Sequence, residues 1–527
     1  MPSAERERYD VIVAGAGHNG LVAAAYVAAA GLRVLLLEDR DVVGGNAVSE
    51  EFVPGYRFDA GASGHTFIQS TPILKNDELG LLAHGLRYEF PDPIQVVMLP
   101  DGSLLPVHVD VAATARNIAK ISPADADAYR RMEDEAFGLM AVAGKMERGI
   151  MGEVDVSPAI RRKLSRRAWD VIAQRFTDPR IQSWLCKEAS LVLVPPDQPW
   201  TARFVFGGYV TRHTPNVSWG TPIGGSGALT DALRDAFERS GGTVKVAHRV
   251  TRVLVEGGAA RGVECADGTV FVADKAVISS MHIKHLVGMT PSELWPADAR
   301  EAVDDLVTGP SLGVTYIAAT EAPRYRGIDG TELASMAALI PGTLEESLGW
   351  GTRILLKKPA LTKGTLFTHA GTVLDPSRAV PGGHTIKCVS FQPYELDGGA
   401  QCWDSLRDDL EQFHLSTLRK HAPNITPATI VGTHTRTPLD LERVNLHNVG
   451  GSAHGGEQLD SQLWDRRPAP GWADHRMPIR GLYQTGATTH PGGGIAGVSG
   501  RNAALVLLAD LGVETGSRSP VAAGHSR

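Results

Sequence analysis

Residues 9–38 read YDVIVAGAGHNGLVAAAYVAAAGLRVLLLE, and the fold class follows from them. Residues 9–14 are a short apolar run, the pattern of a strand buried on both faces of a parallel sheet. A glycine turn follows, then an alanine-rich stretch, 19–30, made of good helix formers. Gly31 suits the left-handed position just past a helix. Residues 33–38 are a second apolar strand. Strand, turn, helix and strand in this order make one βαβ unit, and the chain is predicted to be α/β with a parallel sheet.

Within the turn, Gly15-Ala16-Gly17-His18-Asn19-Gly20 spells GxGxxG. The spacing carries weight because it follows a strand, opens a helix and precedes an acid, Glu38, at the end of the next strand. Gly15 permits the tight turn, Gly17 lets backbone approach a diphosphate, and Gly20 lets helix and strand pack closely. The positive helix N-terminus faces the phosphates, and Glu38 accepts from a ribose diol. The next segment, Asp39-Arg40-Asp41-Val42-Val43-Gly44-Gly45, brings a second glycine loop to the same ligand. Far downstream, GLYQTGATTHPGGGIAGVSGRNAALVLLAD (481–510) repeats strand, glycine turn and helix start. Residues 492–497 again spell GxGxxG, but no second βα unit with a terminal acid follows, so a separate nicotinamide site is rejected. A helix start there suits the anionic edge of a reduced flavin.

The two ends of the chain, with GHNG, HPGGG and the PIGGSGALTDAL segment, resemble phytoene-dehydrogenase-type flavoproteins of the amine oxidase superfamily. The likeness is greatest to the phytoene-dehydrogenase-related, pyridine nucleotide-disulfide-oxidoreductase-like branch. It implies a discontinuous glutathione-reductase-type Rossmann domain over 6–75, 222–285 and 476–514. A mixed-sheet substrate domain with a helical cap would cover 76–221 and 286–475, and 515–527 would be a disordered tail. It implies non-covalent FAD, held by Gly15, Gly17, His18, Asn19, Gly20, Glu38, Asp39, Arg40, Gly44, Gly45, Asn46, Ala47, Ala62, Ser63, Val250, Gly486, Gly497 and Val498. Many relatives carry arginine where this chain has Asn46, so one cation near the phosphates is missing. The implied activity is hydride transfer between flavin N5 and a largely apolar small molecule, with oxygen or a quinone as acceptor. A carotenoid ketolase or isomerase, an amine oxidase, and a flavin-loaded interaction protein of low turnover stay open.

Two histidines beside glycine-rich segments, His65 and His490, are candidates for moving a proton at neutral pH. The commoner role for such a histidine is to order a loop by bonding backbone. His454 is a weaker candidate, read as a turn residue. His282 and His285 lack a third ligand in register, so no metal site is expected. No HExxH, GxSxG or P-loop motif occurs. Trp169, Trp184, Trp200, Phe204, Phe206 and Trp219 suit either a substrate tunnel or plain core. Residues 110–200 are predicted mostly helical, with Ser122 and Ser157 as helix starts. The sequence 243–279 is predicted as a set of short antiparallel strands.

The 527 residues carry 52 Lys+Arg against 59 Asp+Glu, a net charge of −7. That argues against nucleic acid as a partner. Four scattered cysteines fit a reduced compartment, and no segment reads as a signal peptide or membrane span. A cytoplasmic protein is expected, with peripheral membrane contact and a homo-oligomer left open. Glycine, 58 of 527 residues, is in excess, and much of that excess falls in the segments assigned to the dinucleotide.

Overall fold

The computed structural model describes residues 7–148 and 157–513; the expected tail, 515–527, lies outside them. The strand Arg8–Ala14 pairs in parallel with Val34–Leu37 on one side and with Val270–Ser279 on the other. Its residues Val11, Ile12, Val13 and Ala14 are fully buried, as the apolar run predicts. The helix His18–Ala29 joins the first two strands, and Gly31 closes it with φ +88°.

The first sheet runs Val250–Glu256, Ala259–Cys265, Val270–Ser279, Arg8–Ala14, Val34–Leu37, Thr243–Lys245. The expectation for 243–279 needs one correction. Thr243–Lys245 is not part of the antiparallel set but pairs in parallel with Val34–Leu37 at the opposite edge. Only the three strands from Val250 to Ser279 form the antiparallel crossover. The physical reason is the break at 246–249, where Ala247 takes φ +54° and the chain crosses over the ends of the strands. The last strand, Leu482–Gln484, pairs in parallel with Val277–Ser279, where the crossover hairpin has left that flank free. The helix Val498–Asp510 then packs beside His18–Ala29; Gly500 makes this possible, since a Cβ there would lie 2.2 Å from Asn19 O.

A second sheet, almost wholly antiparallel, runs Ile430–Arg436, Ser311–Ala319, His384–Gln392, Leu366–His369, Ala337–Ile340, Gln95–Met98, Leu104–Val107. One face carries Ile317, Ile386, Cys388 and Ala338 under the helix Arg407–His421. The other face meets the hairpin Ser49–Asp59 and a helical cap. The cap is the predicted helical region, and Ser122 and Ser157 both cap helices that begin with proline. Trp184 and Phe206 are buried in its core, so for these two the core reading holds.

Candidate active site

Gly17 and Gly20 do opposite work in the first turn. A Cβ at Gly20 would lie 2.0 Å from Gly15 O, so only glycine lets the helix sit this close to the strand. At Gly17, the N-cap of the helix, a Cβ would meet nothing within 4 Å, leaving its backbone open to a ligand. Gly45 passes beside it, its own Cβ position 3.1 Å from Gly17 Cα, and the Gly44 N–H donates to Ala16 O at 2.8 Å. The two glycine loops thus lie against each other. Gly497, at φ +68°, starts the second helix, with Asn19 Oδ1 accepting from Gly500 N–H at 3.3 Å. Two helix N-termini therefore stand side by side, and their positive ends add at that spot.

Glu38 lies at the end of its strand, where it accepts from the Ala16 N–H (2.8 Å) and the Arg40 N–H (3.1 Å). Each carboxylate oxygen keeps a further lone pair. Burial pushes its pKa up against the pull of those two N–H groups. Residues 247 and 248 hydrogen-bond back to Arg40 O and Glu38 O, which brings the start of the Val250 strand beside the acid. Asp39 and Arg40 are engaged elsewhere: Asp39 pairs with Arg249, and Arg40 with Glu50, which Arg436 also binds. Asn46 forms a reciprocal amide pair with Asn448 and accepts from Asn445. Its backbone O also accepts from the Ala62 N–H. Ala47 O accepts from Thr230 Oγ1 at 3.1 Å. Ser280, which carries no sequence motif, forms the floor between Gly15, Gly20 and Gly486.

The segment 485–494 is held from three sides. Ser499 Oγ bonds Gly486 N–H, Thr485 Oγ1 and Thr489 Oγ1. Arg467, fully buried, donates to Ala487 O, His454 O and Glu457 O. His454 abuts Gly493, and Gln458 Nε2 bonds both His454 Nδ1 and Gly493 O at 3.2 Å. His454 lies in a turn, as the sequence suggests, and that turn packs against Gly493 of this loop. His490 is buried with its ring 5.7 Å from that of Trp464. His18 bonds Asn19 Nδ2 through Nε2, and burial lowers its pKa to about 4 against a bond to the Gly494 backbone.

His65 lies elsewhere, fully buried, with Nδ1 3.0 Å from Tyr88 Oη and Nε2 2.9 Å from Ser226 Oγ. Both nitrogens are used, and burial lowers its pKa to about 4. Beside it sits a group of side chains that sequence reasoning missed. Asp59 Oδ1 pairs with Arg378 Nη2 at 3.0 Å, both almost fully buried, and also accepts from Ser226 N–H and Ser49 Oγ. Burial opposes the charge on Asp59, but Arg378, His369, the Ser226 N–H and Lys387 outweigh it and hold the carboxyl below its usual range. The second sheet supplies His369 and Lys387, direct cross-strand partners. Lys387 Nζ donates to Gly61 O and Ser63 Oγ, so the sheet is pinned to the segment 61–63. Burial lowers its pKa to about 8. On the same face Phe367 stacks on Trp219 (4.9 Å, 7° between planes), and Trp219 lies directly against Gly64. Val389 and Phe391 alternate along this face, with Phe367 directly across from Val389, and together they make an apolar wall. Among the described residues no group of His, Cys, Asp or Glu suits a metal ion. His282 caps a helix, and His285 bonds Leu446 O.

Open backbone at Gly17, paired helix N-termini and an acid at the strand end fit an adenine dinucleotide. The family model for flavin containing amine oxidoreductases matches residues 20–508. Pyridine nucleotide-disulfide oxidoreductase domain-containing protein 2 of Mus musculus is 28% identical, over 96% of this chain and 94% of its own. One of the limonene dehydrogenase subunits of Castellaniella defragrans is 27% identical (97% and 96%), as is the lycopene-forming phytoene desaturase of a Paracoccus species (95% and 97%). Among solved structures, an oxidoreductase from Methanosarcina mazei superposes with a TM-score of 0.60 at 18% identity, covering 95% of this chain and 99% of that one. Putrescine oxidase bound to putrescine superposes at 0.61 and 14% identity (96% and 99%). The chain belongs to the flavin containing amine oxidoreductase family and is an FAD-dependent oxidoreductase.

Proposed function

We propose that the enzyme oxidises or reduces a largely apolar small molecule held against the face of the second sheet that carries Phe367, Val389 and Phe391. One observation carries this reading: Trp219, Phe367, Val389 and Phe391 wall a face that Lys387 fastens to Gly61 and Ser63. When bound, FAD supplies the hydride acceptor or donor at N5. In this reading the nucleotide unit spans 6–75, 222–285 and 476–514, and the substrate unit 76–221 and 286–475. Gly15, Gly17 and Gly20 take the diphosphate with His18 and Asn19 beside them, and Glu38 takes the ribose. The backbone at Val250 meets the adenine. Gly44, Gly45, Asn46 and Ala47 line the middle of the cofactor, and Ala62, Ser63, Gly486, Gly497 and Val498 its flavin end. Asp39 and Arg40 brace the ribose end through their ion pairs with Arg249 and Glu50. The apolar wall excludes water from the reacting bond. His65, with both nitrogens engaged, positions the loop it sits in, whereas His490 handles a proton beside the glycine turn.

The test is anaerobic bleaching of the flavin band by a panel of terpenoid hydrocarbons, ketones and amines. We expect bleaching by hydrocarbons or ketones and a His490→Ala enzyme that keeps FAD but reduces it at least tenfold more slowly. Bleaching by amines alone would overturn the apolar assignment, and unchanged reduction would remove His490 from the chemistry.

The acceptor in this reading is oxygen or a membrane quinone. Among the described residues no helix is long and apolar enough to cross a membrane. The helix Leu344–Leu355 nevertheless ends in Leu355 and Leu356, 84% and 61% exposed, followed by exposed Lys357, Lys358 and Lys363. Two exposed leucines flanked by lysines suit shallow contact with an anionic bilayer, the source of both apolar substrate and quinone. Co-sedimentation with vesicles containing phosphatidylglycerol should fall several-fold in Leu355→Glu/Leu356→Glu while FAD content holds. Equal co-sedimentation of both proteins would exclude this patch as the contact.

A further inference from the structure

Lysine ordinarily keeps its amine in water, and the cap helix Pro179–Ala189 carries one at Lys187. Instead Lys187 is 1% exposed, and its Nζ has no hydrogen-bond partner among the described residues. Nζ stands 3.1 Å from the centroid of the Phe391 ring. The neighbouring acid attracts it through space but makes no hydrogen bond or ion pair with it. Glu188 accepts from Gln95 Nε2, Trp184 Nε1 and Arg212 Nη1, and its ion pair is with Arg212 at 3.1 Å. The other charged group nearby, Arg353, donates to Phe391 O and Lys358 O. The Phe391 ring that Nζ faces packs with Leu193, Trp350, Leu312 and Ile354 in one apolar cluster.

An amine that finishes buried without an acceptor costs free energy unless something supplies one. The position of Phe391 says what that is. Lys387, Val389 and Phe391 alternate along one strand and share the face that carries Phe367 and Trp219. Four residues at strand rise separate Lys387 from Phe391, about 13 Å. One end of the wall is therefore fastened to the segment 61–63, and Lys187 looks onto the other. We propose that Lys187 anchors the far end of the substrate, donating a hydrogen bond to the carbonyl oxygen of an otherwise apolar molecule. The inference rests on the proposed substrate wall and deepens it: the substrate is an elongated hydrocarbon with one carbonyl terminus, reacting at the end away from that oxygen. Burial and the nearby Arg353 favour the uncharged amine, which suits a carbonyl over a carboxylate.

The test uses the FAD-loaded enzyme with citral, a ten-carbon terpenoid aldehyde, and myrcene, a hydrocarbon of matching skeleton. An uncharged amine within reach of the aldehyde condenses with it: the N–C bond forms, the carbonyl oxygen leaves as water, and an imine results. Added borohydride then delivers hydride to the imine carbon, a proton goes to nitrogen, and the secondary amine is permanent. Peptide mass mapping should place the adduct on Lys187 ahead of exposed Lys357 and Lys358. Citral binding, read from perturbation of the flavin spectrum, should weaken at least tenfold in Lys187→Met while myrcene binding holds. Adducts confined to exposed lysines, or equal loss for both ligands, would overturn the proposal. If Lys187→Met fails to fold, the wild-type adduct map decides alone. Flavin absorbance is recorded first, so a colourless protein indicts the cofactor reading and an unlabelled Lys187 in a yellow one indicts the anchor.

Discussion

Gly17→Ala should leave the apoprotein as stable as the wild type and yet lose at least about 100-fold in FAD affinity, whereas Gly20→Ala should fail at the level of folding. The two residues lie three positions apart in one motif, but the structure separates their roles. A methyl at Gly17 meets nothing within 4 Å, and its φ of −64° suits any residue. The apoprotein should therefore change by no more than about 0.5 kcal/mol. The same methyl occupies the space through which a diphosphate must approach the helix N-terminus, and 100-fold corresponds to about 2.7 kcal/mol. At Gly20 the methyl would stand 2.0 Å from a carbonyl oxygen that belongs to the strand–helix turn itself. Helix and strand must then move apart, costing about 3 kcal/mol or more. Thermal melts of the apoproteins and FAD titrations check both halves. Equal destabilisation by the two substitutions, or FAD binding retained in Gly17→Ala, would contradict the account.

Acid should unfold the protein early, between about pH 6 and 5. Burial lowers the pKa of His65, His447, His454 and His475 to about 4 and of His414 to about 3. In the unfolded chain each titrates near ~6.5. The folded value is the depressed one, so the stabilising difference is complete above the unfolded pKa and is lost as pH falls toward the folded value. At pH 5 each such histidine costs about 2 kcal/mol. Three of them are enough to erase a typical net stability of ~5–15 kcal/mol at its lower end. His414, bonded at 2.8 Å to both Ser390 and Thr315 and remote from the glycine loops, separates this effect from cofactor loss. Circular dichroism across pH 8 to 4 should show a transition taking up several protons. A fold that persists unchanged at pH 4.5 would refute it.

The glycine turns proposed to hold the nucleotide were legible as turns because their pattern is local. Gly15, Gly17 and Gly20 lie in one turn, Glu38 ends the adjoining strand, and the helix after Gly497 announces itself through its own glycines. The partners of the second sheet were invisible for the opposite reason. Lys387 meets His369 and Gly61 only after an antiparallel register is set between strands that carry no motif. Asp59 and Arg378 look like surface charges until the hairpin and the turn at 376–378 bury them together. Thr243–Lys245 reads as a neighbour of the strand after it, and nothing local reveals that the chain crosses the whole sheet between them. Lys187 belongs to no motif, and only the packing of its helix buries it.

The strand Leu482–Gln484 and the helix Val498–Asp510 complete a site whose first loop is Gly15–Gly20, and this ordering has a consequence for biosynthesis. At about 5–20 residues per second, the ribosome takes on the order of half a minute to a minute and a half to travel from one glycine loop to the other. From its own synthesis until Gln484 emerges, the strand Val270–Ser279 has an unpaired flank, and the helix His18–Ala29 meanwhile lacks the neighbour that buries Val22. In the proposed site, cofactor capture follows the emergence of the helix Val498–Asp510, so the loop Gly15–Gly20 must wait for a partner made far later.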